Sequence, residues 1–119
     1  MMTVLNVCPV GKPRMTQRDK WMKRDCTSKY WAFCDQLRAE VRRTELKLTN
    51  SFKVVFYLPI PKSYKKKEKY ENKPHDKKFD IDNLTKAVLD TLYISDSVVY
   101  HVDAYKYYST TPRIEIEFL

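Results

Sequence analysis

At 119 residues the chain has the length of one domain, 1–119, with room for one modest core. Lysine plus arginine number 23 against 15 acids, a net charge of +8, and 43% hydrophobic with 32% charged residues is a globular rather than a disordered composition. A single glycine excludes the glycine-rich phosphate loops, and no run approaches the roughly 18 apolar residues of a membrane span. Met1 to Val10 is too short for a signal peptide with a charged first region and a cleavage site, so the expectation is a soluble, cytoplasmic protein. Cys8, Cys26 and Cys34 are odd in number and form no C-x-x-C pair, which reads as reduced thiols rather than a disulfide framework or a zinc site.

Thr3 to Cys8 is short and β-prone and reads as a first strand, broken by Pro9-Val10-Gly11-Lys12-Pro13. The basic stretch to Arg24 reads as a loop. Ser28 is a helix-cap residue, and Tyr30, Cys34, Leu37 and Val41 then recur on one helical face, predicting a helix from about Lys29 to Arg43 with Trp31 and Phe33 widening its buried stripe. Phe52, Val54, Phe56 and Leu58 alternate with Lys53, Val55 and Tyr57 as a strand, ended by Pro59-Ile60-Pro61. Lys62 to Lys78 lacks apolar periodicity and reads as a long mobile loop.

A second helix is predicted from about Asp82 to Leu92, with Leu84, Ala87, Val88, Thr91 and Leu92 inward and Asp82, Lys86 and Asp90 outward. Val98 to Tyr107 reads as a strand, Ser109 to Pro112 as a turn, and Arg113 to Phe118 as a last alternating strand. The order β-α-β-α-β-β predicts an α+β two-layer sandwich, a small mixed sheet with two helices on one face.

The charge is unevenly spread. Six bases between Lys12 and Arg24 stand against Asp19 alone, and eight lysines between Lys62 and Lys78 stand against Glu68, Glu71 and Asp76. Such stretches are the footprint of a polyanionic partner, most commonly nucleic acid. Lys12, Arg14, Arg18, Lys65, Lys66, Lys67, Lys77 and Lys78 are the candidate phosphate contacts, which position a nucleic acid without reading its sequence. From Asp80 to Leu119 the sign reverses, with seven acids against three bases. Aspartates beside a phosphate-gripping loop repel the partner unless a cation offsets them.

The sharpest pattern is Asp80-Ile81-Asp82-Asn83-Leu84-Thr85-Lys86. Two aspartates two apart in an extended approach to a helix point the same way, Asp82 stands at or near the N-cap, Lys86 lies one turn on, and Asp96 offers another carboxylate before the third strand. Mg²⁺ takes carboxylate oxygens while keeping waters and substrate phosphate. The same spacing also describes ordinary capping, worth about 1 kcal/mol, and an ordinary i,i+4 pair. His75 and His101 are isolated, His75 reads as a surface residue of the lysine loop, and the tyrosines at 100, 105, 107 and 108 read as sheet packing.

The run from Lys78 to Leu92 resembles the core motif of RusA-type Holliday junction resolvases, an Asp-x-Asp-Asn-Leu-x-Lys run followed by a helix carrying another Asp. Gly11-Lys12-Pro13-Arg14 is similar to the basic turn near the start of many phage members. The resemblance implies a homodimeric, Mg²⁺-dependent endonuclease (with Mn²⁺ as a substitute) that cuts four-way or branched DNA. It implies Asp80, Asp82 and Asp96 as metal ligands and Lys86 as the lysine at the scissile phosphate. Here only Thr91 to Ser95 separates Asp90 from Asp96, a shorter link than the family's, which leaves Asp90 as a second candidate for the third carboxylate. The rival reading is a non-catalytic branched-DNA-binding module in which the basic loops do everything.

Overall fold

A computed structural model describes residues 2–12, 25–77 and 80–119, without the side chains of 25–27 and of Asp96. Strand β1 (Thr3–Leu5) leads through Lys12 toward helix α1 (Asp25–Thr44), followed by strand β2 (Ser51–Pro59), a 3-10 turn (Lys67–Lys69), helix α2 (Ile81–Leu92), a second 3-10 turn (Asp96–Val98) and strands β3 (His101–Ser109) and β4 (Arg113–Phe118). The expected α+β order and both helices are present.

The four strands form one sheet in the order β1-β4-β2-β3. β1 and β2 both run antiparallel to β4, and β2 runs parallel to β3 with Lys53 opposite Asp103 and Tyr57 opposite Tyr107. Alternation sends Phe52, Val54 and Phe56 of β2, with Ile114 and Ile116 of β4, to one face, all at 0% exposure. Tyr30, Phe33, Cys34, Leu37 and Val41 of α1 and Leu84, Ala87 and Val88 of α2 close the same core over that face. Each large side chain so buried contributes about 1.5–3 kcal/mol, enough for this core to dictate which faces of α1 and α2 turn inward.

Several boundaries move for identifiable reasons. β1 stops at Leu5, not Cys8, because Asn6 leaves the ladder: its N–H bonds the Glu40 carboxylate at 2.6 Å and its carbonyl accepts from Gln36 at 2.7 Å. α1 begins at Asp25, so Ser28 is not its cap. The helix ends in a Schellman closure, Leu46 N–H to the Val41 carbonyl and Glu45 N–H to that of Arg42, with Glu45 at a φ of 55° where glycine is usual. Trp31 is exposed, its ring tilted 57° against Tyr30 at 5.3 Å between centroids rather than buried, so the apolar stripe of α1 is narrower than expected. β3 starts at His101 because Asp96–Val98 is taken into the 3-10 turn. His101 itself shares a 2.7 Å hydrogen bond between its Nδ1 and the Ser51 hydroxyl. Among the described residues, no helix is long and apolar enough to cross a membrane.

Candidate nuclease site

α2 carries the Asp-x-Asp-Asn-Leu-x-Lys run in its first two turns. Asp80, not Asp82, is the N-cap: its backbone is extended (φ −67°, ψ 145°) and its carbonyl accepts the first helical bond, from Leu84 N–H at 3.1 Å. Its carboxylate makes no capping hydrogen bond. Asp82 lies inside the first turn, where a carboxylate meets the positive end of the helix dipole. One of its oxygens accepts from Asn83 N–H at 2.9 Å. The two aspartates are thus related by helical geometry, not by the period of an extended strand. Both are exposed, as is Lys86 one turn further on.

Leu84 inside the same run is fully buried, so the motif interleaves a core peg with exposed chemistry. Thr85 donates its hydroxyl back to the Ile81 carbonyl at 2.8 Å, one turn before it. An open groove of ≈550 Å³ runs between this turn and the edge of β3, lined by Ile81, Asp82, Thr85, Lys86 and Leu89 and by Val102, Asp103 and Ala104. Asp103 sits at that edge beside Lys53 in register, and its carboxylate accepts from the Tyr105 hydroxyl at 3.3 Å, which pushes the Tyr105 phenol up. Sequence reasoning gave Asp103 no role, because only strand pairing brings it to the groove.

The donor set suits a hard cation: oxygens only, at a helix start, with Asp80 unengaged in capping. Among the described residues, no three His, Cys, Asp or Glu side chains gather closely enough to hold a metal ion. The third expected ligand, Asp96, opens the 3-10 turn after α2, and its side chain lies outside the described residues. Asp90 is engaged elsewhere: the Lys12 ammonium donates to it at 2.5 Å, both side chains about 30% exposed. Lys12, an expected phosphate contact, is therefore tied to α2, and its backbone N–H also meets the Asn83 carbonyl at 3.4 Å.

Arg14, Arg18 and Lys78 lie outside the described residues. Lys65, Lys66, Lys67 and Lys77 are all exposed. Their loop is more structured than expected. Lys67–Lys69 forms the 3-10 turn, Lys66 before it holds a φ of 55°, and Pro74 bridges to Tyr107 on the outer edge of β3. A left-handed backbone costs a non-glycine residue about 1–2 kcal/mol, a cost that the loop's hydrogen bonds to β3 must offset. His75, expected at the surface, is buried against Tyr108 with ring centroids 4.5 Å apart.

Two comparisons with known proteins bear on these residues. The family model described as Endodeoxyribonuclease RusA matches residues 5–118. The uncharacterized protein YqaN of Bacillus subtilis (strain 168) is 37% identical over 121 residues, an alignment that covers 89% of this chain and 84% of that protein.

Proposed function

The chain belongs to the RusA endodeoxyribonuclease family, and from that premise we propose that it is a Mg²⁺-dependent nuclease that resolves four-way and other branched DNA during recombination and repair. The observation that carries this reading is the pair of exposed carboxylates, Asp80 and Asp82, at the start of α2, in a run whose Leu84 fixes the helix on the sheet.

Asp80, Asp82 and Asp96 would hold the cation, with Mn²⁺ as a substitute. A divalent cation there supplies charge neutralisation at the scissile phosphate and activation of the attacking water. The chain's own groups do the rest. The first turn of α2 keeps both carboxylates on a rigid element. Lys86, one turn on, neutralises charge that develops on the phosphate oxygens as the P–O bond breaks. Hydrolysis would leave a 5′-phosphate and a 3′-hydroxyl. Lys65, Lys66, Lys67, Lys77 and Lys78, with Arg14 and Arg18, would hold the DNA backbone. A homodimer with two-fold symmetry would offer two such sites to a four-way junction, one for each of two paired cuts.

The test is cleavage of a synthetic four-way DNA junction beside a linear duplex of the same sequence. Mg²⁺, Mn²⁺ and EDTA conditions are compared for the wild type and Asp82→Asn. Paired, metal-dependent cuts on the junction are expected, with Asp82→Asn at least about 100-fold slower while still binding. Junction binding without cutting in any metal would put the non-catalytic binding module in its place.

A further inference from the structure

The lysine loop presents its charges and hides its rings. Its lysines at 62, 65, 66, 67, 69, 73 and 77 are all exposed, whereas Tyr64 and Tyr70 turn inward onto Tyr108 of β3. The ring centroids of Tyr64 and Tyr70 are 4.8 Å apart, and each lies within 6.4 Å of the Tyr108 ring, with His75 closing the cluster. The Tyr108 hydroxyl donates to Asp76 at 2.7 Å.

Backbone bonds repeat the attachment. Asn72 N–H reaches the Tyr108 carbonyl at 2.8 Å, Tyr108 N–H reaches that of Lys73 at 2.9 Å, and His75 N–H reaches that of Lys106 at 3.1 Å. Further along, Glu71 accepts from the Ser109 hydroxyl at 3.0 Å and from Thr110 N–H at 2.9 Å. A lysine loop that served only solubility has no use for this much fixed structure. A loop that must meet a rigid polyanion gains from it, because ordering done in advance is not charged against binding.

We infer that the ring cluster of Tyr64, Tyr70, His75 and Tyr108, with Asp76, is a positioning device that holds the lysine loop preformed as a rim for DNA phosphates. The inference rests on reading these lysines as DNA contacts.

The test uses Tyr70→Leu/Asp76→Ala, two changes on the loop that spare the sheet core, beside the triple variant Lys65→Ala/Lys66→Ala/Lys67→Ala. Tyr70→Phe, which keeps the ring, is the rescue control. Three readouts are taken on the full-length protein: trypsin cleavage within 62–77 without DNA, Kd for junction DNA in EDTA across a salt series, and the cutting rate at saturating junction.

For Tyr70→Leu/Asp76→Ala we expect trypsin cleavage about tenfold faster. Its Kd should weaken about fivefold to tenfold with the saturated rate within about twofold, because only the prior ordering is lost. Tyr70→Phe should match the wild type. The triple lysine variant should weaken binding and flatten the salt dependence. If that variant loses affinity while Tyr70→Leu/Asp76→Ala keeps wild-type Kd and trypsin resistance, the positioning role is overturned and the lysine contacts stand. If the triple variant binds as the wild type does, the DNA rim itself is wrong and the inference falls with it.

Discussion

Lys12 and Asp90, 78 residues apart in the chain, form a half-buried ion pair that ties the turn after β1 to the outward face of α2. The carboxylate that spacing offered as a substitute metal ligand is thereby committed to a cation the chain supplies itself. Asp90→Asn should lower stability by about 1–2 kcal/mol, since it removes a charge-assisted bond that is only partly screened by water. It should leave metal-dependent junction cutting within about threefold of the wild type, a tolerance equal to less than 1 kcal/mol of barrier. Urea unfolding and the cutting assay on the same preparation check both halves. A loss of cutting as deep as that of Asp82→Asn would make Asp90 a metal ligand after all.

Asp80 allows capping and catalysis to be separated. An aspartate that caps a helix through its side chain is worth about 1 kcal/mol, but the Asp80 carboxylate makes no such bond. Asp80→Ala should therefore change stability by less than about 0.5 kcal/mol while reducing cutting at least about 100-fold. Thermal melting and junction cleavage together decide it. A destabilisation near 1 kcal/mol with full activity would return Asp80 to the role of an ordinary cap.

The order of elements was legible because the apolar periods are clean: Tyr30, Cys34, Leu37 and Val41 on α1, and Phe52, Val54, Phe56 and Leu58 on β2, are all buried as their spacing demands. Asp80, Asp82 and Lys86 were legible as a local run. What local pattern could not carry was pairing across the chain. Nothing near Lys12 announces Asp90, and nothing near Asp103 announces the groove beside α2. The segment around Tyr70 has no apolar period because its two tyrosines pack on a strand some forty residues later, so it read as free loop. His75 misled for the same reason, since its burial is conferred by Tyr108 and not by its neighbours in sequence.

Leu84 links the core to the chemistry. It is fully buried between two exposed residues of the nuclease run, and its seat sets the rotation of α2 that points Asp82 and Lys86 at the groove. Leu84→Ala should cost about 2–5 kcal/mol through the cavity it leaves. Leu84→Met, close in volume, should cost less than about 1.5 kcal/mol and retain cutting. Denaturant unfolding ranks the two, and an alanine variant as stable as the wild type would mean that α2 is held by other contacts.

Acid should loosen the lysine loop before it unfolds the sheet. Burial against Tyr108 holds the His75 imidazole below its ordinary 6.5, and the nearby Lys106 ammonium adds to this, while Asp76 and the Lys77 carbonyl oppose it. The folded protein therefore binds the His75 proton less readily than the unfolded chain does. The stability this lends is complete above about pH 6.5 and is lost as pH falls through the lower folded value. Asp76, kept ionised by the Tyr108 hydroxyl bond, loses its contribution only further down, below its ordinary 3.8. Hydrogen exchange of the loop amides between pH 7 and 5, corrected for intrinsic rates, should show protection falling at Asn72, Lys73 and His75 while the amides of β2 stay protected. In His75→Gln, whose side chain does not titrate, that fall should vanish, and an unchanged pH response in the variant would assign the effect to another group.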